Sequence, residues 1–187
     1  MGRPARHARG DVRQTEARWR DTLITYLEMR APPGAPAVAA PTPAVRVVRA
    51  EAPTLSFYRY LYDTVGAPWL WTGRQFMDQD TLARILENPA VEIWVLWVAG
   101  VPGGLAELDR RRPPDIDLAY FGLVPDFIGK GYGRYFLAWT VRRAWSYGPR
   151  RLTVNTCTLD HGNALPNYER AGFRVYDRRP GRVQLSV

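Results

Sequence analysis

DIDLAYFGLVPDFIGKGYGRYFLAWTVRRAW, residues 115–145, is the stretch whose reading decides the fold. Its first part, 116–124, is a nearly uncharged run rich in aromatic and apolar residues, the pattern of a strand buried on both faces. Pro125 stops it. Ile128-Gly129-Lys130-Gly131-Tyr132-Gly133 follows, with alternate glycines that let the backbone turn tightly and approach a ligand without Cβ interference. Then Leu137, Thr140, Val141, Ala144 and Trp145 recur at helical spacing, with Arg134, Arg142 and Arg143 on the other side. Strand, glycine loop and helix in that order leave unpaired N–H groups and the positive end of a helix dipole at the loop, which suits a phosphate, above all a pyrophosphate. Taken alone, the pattern also fits a tight turn before a helix.

The 187 residues fit one domain with an appendage and are enough to bury a substantial core. The net charge of +8 rests on scattered arginines and the single Lys130, without a basic cluster, so no nucleic-acid partner is expected. Cys157 is the only cysteine; it allows no internal disulfide and no cysteine metal cluster, and its apolar flanks read as a buried structural thiol. The longest apolar stretch, 93–106, is broken by glycines and a proline and is shorter than the roughly 18 residues of a membrane helix. Arg3, Arg6 and Arg9 have no apolar segment behind them, so a secretory signal is not expected and the cytoplasm is.

Residues 1–20 read as a polar, Arg-rich arm. TLITYLEM, 22–29, alternates as a strand does, although Leu23, Leu27 and Met29 also fit a short helix. The proline and alanine of 31–44 mark a linker, so the expected division is 1–44 as arm, extra strand and linker, and 45–187 as the compact domain. A short strand at 45–50 precedes a helix with the stripe Leu55, Tyr58, Leu61, Tyr62 and Val65, then Trp69-Leu70-Trp71 and a second helix carrying Leu82, Ile85 and Leu86. Runs at 91–99 and 101–109 join the central strand in an antiparallel meander. Beyond the central helix, 151–158 reads as a strand parallel to the central one, followed by a short helix ending at Gly172 and a closing hairpin of 173–176 with 183–187.

With these elements placed, residues 45–187 resemble the GNAT superfamily of acetyl-CoA-dependent N-acetyltransferases. The family's phosphate-loop pattern, Gln/Arg-x-x-Gly-x-Gly/Ala, is matched at the glycines of the 128–133 loop and departs from it at Ile128. Tyr168-Glu169-Arg170-Ala171-Gly172-Phe173 looks like its Tyr-x-x-x-Gly-Phe ending, and His161 stands where the family usually has Asn. The resemblance implies an α/β fold, a mixed, mostly antiparallel sheet splayed at its centre and flanked by helices on both faces. It implies acetyl-CoA as cosubstrate, no metal, and a small-molecule or peptide amine as acceptor, with no membrane partner; a homodimer is compatible with it.

The resemblance also implies site roles. Pyrophosphate falls to Ile128, Gly129, Lys130, Gly131, Tyr132, Gly133 and Arg134. The extended arm of the cosubstrate falls to the backbone of Phe121, Leu123 and Val124, with Asn155, His161 and Asn163 beside it. Tyr168 is the implied acid for the leaving thiolate, and Tyr58, Tyr62, Trp69 and Trp71 wall the acceptor. Asp117 stands where the family often carries a glutamate base. A turn centred on Arg112 adds an independent expectation: it sets Glu107 opposite Asp117, a carboxylate pair whose repulsion raises one pKa toward general-base range. Two other readings remain. A dinucleotide-binding oxidoreductase is disfavoured because 151–158 carries no acid at ribose-binding distance, and a non-catalytic acyl-CoA-binding module is the alternative.

Overall fold

The computed structural model describes residues 18–34 and 36–185; of the N-terminal arm, positions 1–17 lie outside the described residues. The 22–29 run belongs to a strand, β1 (Trp19–Met29), which buries Thr25, Leu27 and Met29 and leaves Tyr26 and Glu28 between them half-buried, a period of two that a helix lacks. After the Pro/Ala-rich crossing come β2 (Val45–Ala50), α1 (Leu55–Gly66) and α2 (Gln79–Leu86). Both helices start on side-chain caps. The Phe57 N–H donates to Thr54 Oγ1 at 3.2 Å and the Thr81 N–H to Asp78 Oδ1 at 2.8 Å, each satisfying a first-turn donor.

The meander follows as β3 (Val91–Val98), β4 (Val101–Asp109) and β5 (Asp115–Leu123), and then α3 (Tyr132–Trp145), β6 (Arg151–Cys157), α4 (Ala164–Arg170) and β7 (Arg174–Gln184). The closing hairpin expected at the C-terminal end is instead one strand. β7 pairs with β1 along its length, from Trp19↔Gln184 to Glu28↔Arg174, so the arginines and Pro180 between the two apolar runs are part of the ladder and not a turn.

All the strands join one sheet in the order β2-β3-β4-β5-β6-β1-β7, and only β5 and β6 run parallel. β1 is therefore an interior strand, hydrogen-bonded to β6 on one side and β7 on the other. The sequence places this strand ahead of the boundary expected at residue 45, and it is hydrogen-bonded within the same sheet as the strands after that boundary. The composition of 31–44 reports an exposed, extended connection, and that connection carries the chain across a single sheet from an interior position to the edge strand β2.

The sheet is covered on both faces. Tyr58, Leu61 and Leu82 of α1 and α2 pack with Ile93, Val95 and Leu105, while Leu137, Val141 and Ala144 of α3 pack on the other face with Leu27, Leu108, Leu118 and Leu152. Each fully buried aliphatic side chain contributes about 1.5–3 kcal/mol, so both layers are fixed to the sheet by their apolar stripes. The β4–β5 register differs from the expected one. Asp109 faces Asp117 and Leu108 faces Leu118, after which a bulge leaves Ala119 unmatched and sets Glu107 opposite Tyr120. Among the described residues no helix is long and apolar enough to cross a membrane.

Candidate active site

β5 and β6 are paired from Asp115↔Arg151 to Leu118↔Val154, and beyond that rung they part. Each keeps its outer neighbour: β5 stays on β4 as far as Gly104↔Leu123, and β6 stays on β1 as far as Ile24↔Cys157. In an antiparallel ladder, alternate residues direct N–H and C=O to opposite sides. The Val124 N–H donates to the Gly103 carbonyl at 3.0 Å, so Gly122 and Tyr120 also turn toward β4, and the backbone groups of Phe121 and Leu123 point into the gap. Such groups require partners, which an extended chain carrying amides provides. Val124 is not one of them, because its carbonyl accepts the Phe127 N–H at 2.9 Å and both of its backbone groups are committed. Gly122 serves close approach: a Cβ there would lie 2.5 Å from Val65 Cγ1, so the glycine admits α1 to the edge of the gap.

A cavity of about 1030 Å³ follows the gap. At one end lies the glycine loop. Gly129 (φ +79°) and Gly131 (φ +83°) are left-handed, a conformation that costs an L side chain about 1–2 kcal/mol, and a Cβ at either would meet nothing within 4 Å. The loop is therefore open toward the cavity. Gly131 caps α3 without a side-chain hydrogen bond, and the first turn of α3 holds no acidic residue, which leaves its N–H groups and the positive dipole end for an anion. Ile128, Gly129, Gly131, Gly133 and Arg134 line this end. Lys130 and Tyr132 do not: both turn to Phe127, the ammonium 5.8 Å and the phenol ring 6.0 Å from its ring centroid.

At the other end stands an aromatic wall. Tyr62, Trp71 and Tyr120 lie 4.9–5.6 Å apart by ring centroids, and Trp69 meets His161 edge-on at 5.1 Å. Tyr58 does not join it; it is fully buried behind the wall, where its hydroxyl donates to Glu107. The indole N–H of Trp71 donates to Asp160 Oδ1 at 3.2 Å, while Asp160 Oδ2 accepts from Thr156 Oγ1 and from the Cys157 N–H, both at 2.8 Å. Asn155, His161 and Asn163 also line the cavity. His161 Nδ1 accepts the Asn163 N–H at 3.0 Å, which places the proton of the neutral ring on Nε2 as a donor.

Tyr168 also borders the cavity, with its ring 6.4 Å from Phe121 and 5.9 Å from Phe173. Burial, and then the charge of Asp160, hold its phenol above the usual range. The expected carboxylate pair is not formed. Glu107 is fully buried, ion-paired with Arg74 and hydrogen-bonded by Tyr58, and it does not border the cavity. Asp117 accepts from Thr153 Oγ1 at 2.7 Å and does not border it either; burial pushes its carboxyl up, the Thr153 bond opposes this, and the charges of Asp109 and Glu107 add to the rise. Two residues that sequence reasoning missed shape the site. Arg74 lies in an irregular segment with no pattern to mark it, and Asp160 reads locally as a turn residue before Gly162.

The fold is similar to that of a GCN5-related N-acetyltransferase from Kribbella flavida (TM-score 0.59, 15% identity, 87% of this chain and 57% of that one), so this chain spans just over half of that protein's length. It is similar to a Bacillus subtilis acetyltransferase solved in complex with CoA (TM-score 0.55, 19% identity, 71% of this chain and 78% of that one). It is similar too to an aminoglycoside acetyltransferase from an uncultured soil metagenomic sample, solved in complex with sisomicin (TM-score 0.57, 13% identity, 69% and 88%). No curated protein matches the sequence. The profile of the acetyltransferase (GNAT) family matches residues 56–173, a span that holds the parted strands, the glycine loop and Tyr168, and the chain belongs to that family.

Proposed function

We propose that the protein transfers an acetyl group from acetyl-CoA to a primary amine by direct attack within a ternary complex. The observation that carries this reading is the parting of β5 from β6 beyond Leu118 and Val154, with the backbone groups of Phe121 and Leu123 turned into the gap and the open glycine loop at its end. Bound there, acetyl-CoA supplies an activated thioester. The N–H groups from Gly129 into the first turn of α3 take the pyrophosphate, with Arg134 beside them. Phe121 and Leu123 hold the pantetheine amides as a strand would, and the Phe121 N–H is placed to stabilise the carbonyl oxygen as charge develops. His161 Nε2–H donates to the same arm. Tyr168 holds its proton at neutral pH and gives it to the thiolate. Tyr62, Trp69, Trp71 and Tyr120 receive the acceptor, a small-molecule or peptide amine, whose ammonium is attracted by the ring faces.

The test is ligand-dependent thermal unfolding, with thiol release measured over a panel of amines. Acetyl-CoA at a hundred times its Kd stabilises a protein by about 2.7 kcal/mol. That shift is expected for the wild type and is expected to vanish in Gly131→Asp, where a side chain and a negative charge enter the phosphate position at a left-handed residue. Stabilisation by NADH and not by acetyl-CoA would overturn the reading. Stabilisation by acetyl-CoA without thiol release from any amine would reduce the protein to an acyl-CoA-binding module.

A further inference from the structure

We infer that Asp160 is the proton-accepting catalytic residue of this site, taking a proton from the acceptor's ammonium; the inference rests on the acetyl-transfer reading above. Among the described residues that line the cavity, Asp78 and Asp160 are the only carboxylates. Asp78 caps α2 through the Thr81 N–H. Asp160 sits where the aromatic wall meets Tyr168: Trp71 of the wall donates to its Oδ1, and its charge acts on the Tyr168 phenol. Thr156 and Cys157 hold Oδ2 with two bonds at 2.8 Å, so the carboxylate is fixed in orientation, while Oδ1 carries a single 3.2 Å bond and keeps acceptor capacity for an incoming N–H. His161 is not the acceptor, because its Nδ1 is occupied and its Nε2 bears the proton. Glu107 and Asp117 stand outside the cavity lining and are committed to Arg74 and Thr153.

The ammonium passes one proton to Asp160, the freed nitrogen lone pair forms the N–C bond with the thioester carbonyl carbon, and the C–S bond breaks. The second nitrogen proton leaves as the amide forms, Tyr168 protonates the departing thiolate and is reprotonated, and one proton in net is released to solvent. An acceptor that is already neutral at pH 7 has no ammonium to discharge, and this separates the role from a structural one.

The experiment compares benzylamine, or whichever panel amine the wild type uses best, with its aminooxy counterpart O-benzylhydroxylamine, which has nearly the same shape but is neutral at pH 7. Asp160→Asn is expected to lose roughly 10²-fold or more in kcat/KM for the amine, the usual size of a general-base contribution, and to stay within a few-fold of wild type for the aminooxy compound. Its stabilisation by acetyl-CoA is expected to match the wild type. If the Asn variant does not fold, Asp160→Glu, which keeps the charge and an acceptor for the Cys157 N–H, replaces it, and the same selective loss is expected in smaller measure. Wild-type rates on the amine, or equal losses on both compounds, would overturn the assignment of Asp160 alone. Absence of thiol release by the wild type from every amine would overturn the acetyl-transfer reading and this inference with it.

Discussion

A single hydroxyl separates packing from chemistry at Tyr168. The ring is held between Phe121 and Phe173 and is nearly fully buried, so Tyr168→Phe keeps those contacts and removes only the proton donor. The expected outcome is near-normal acetyl-CoA affinity with turnover lower by roughly 10²-fold, checked by steady-state kinetics together with a binding titration. Unchanged turnover would make Tyr168 a packing residue. The position was legible because a Gly-Phe pair follows it at fixed spacing, and Gly129 and Gly131 were legible because left-handed backbone leaves its mark in the residue type. Asp160 had no such mark. Its partner Trp71 lies 89 positions away, and nothing in the local letters records a contact made across the cavity.

Between elements, the Glu107–Arg74 pair ties β4 to the segment that leads from α1 to α2. Tyr58 of α1 bonds the same carboxylate, and the Arg74 N–H donates to Tyr62 at 3.1 Å, so the segment behind the aromatic wall hangs from one buried charge. Burial is the largest influence on the Arg74 cation and works against it, but the charge of Glu107, its hydrogen bond and the Tyr58 and Tyr120 phenols together outweigh burial and raise the guanidinium above its ordinary range. Glu107→Gln therefore strands a buried cation and is expected to destabilise the protein by about 3–5 kcal/mol, read as a lower urea midpoint. Adding Arg74→Met to that variant should restore part of the loss, a non-additivity that a mere change of shape at Glu107 would not give. Alternation made the β4–β5 hairpin legible but not its register. The turn is centred one residue later than the count from Arg112, and the bulge at Ala119 shifts the remainder, an offset too small for any periodic pattern to carry.

Across the whole molecule, what the sequence hid was long-range partnership. The order of elements from 45 through α4, the splayed centre and the helices on both faces follow from period, turn residues and the family resemblance, whereas the single strand β7 and the place of β1 depend on a pairing between segments more than a hundred residues apart. Removing residues 1–43 takes out an interior strand with Leu27 and Met29 buried at its inner face, and it opens both β6 and β7 to water. The truncated protein is expected not to fold cooperatively, measured by circular dichroism through a urea titration; a cooperative transition with acetyl-CoA stabilisation intact would establish 45–187 as an independent unit.

The same insertion sets a clock on biosynthesis. β1 leaves the ribosome before every other described strand, yet both of its neighbours come last, and the stretch from Met29 to Arg151 takes on the order of ten seconds to translate at about 5–20 residues per second. Through that interval an 11-residue strand with two unpaired edges waits beside its own nascent chain, so in the cell the period of greatest exposure to chaperones and to mispairing belongs to the earliest of the described strands.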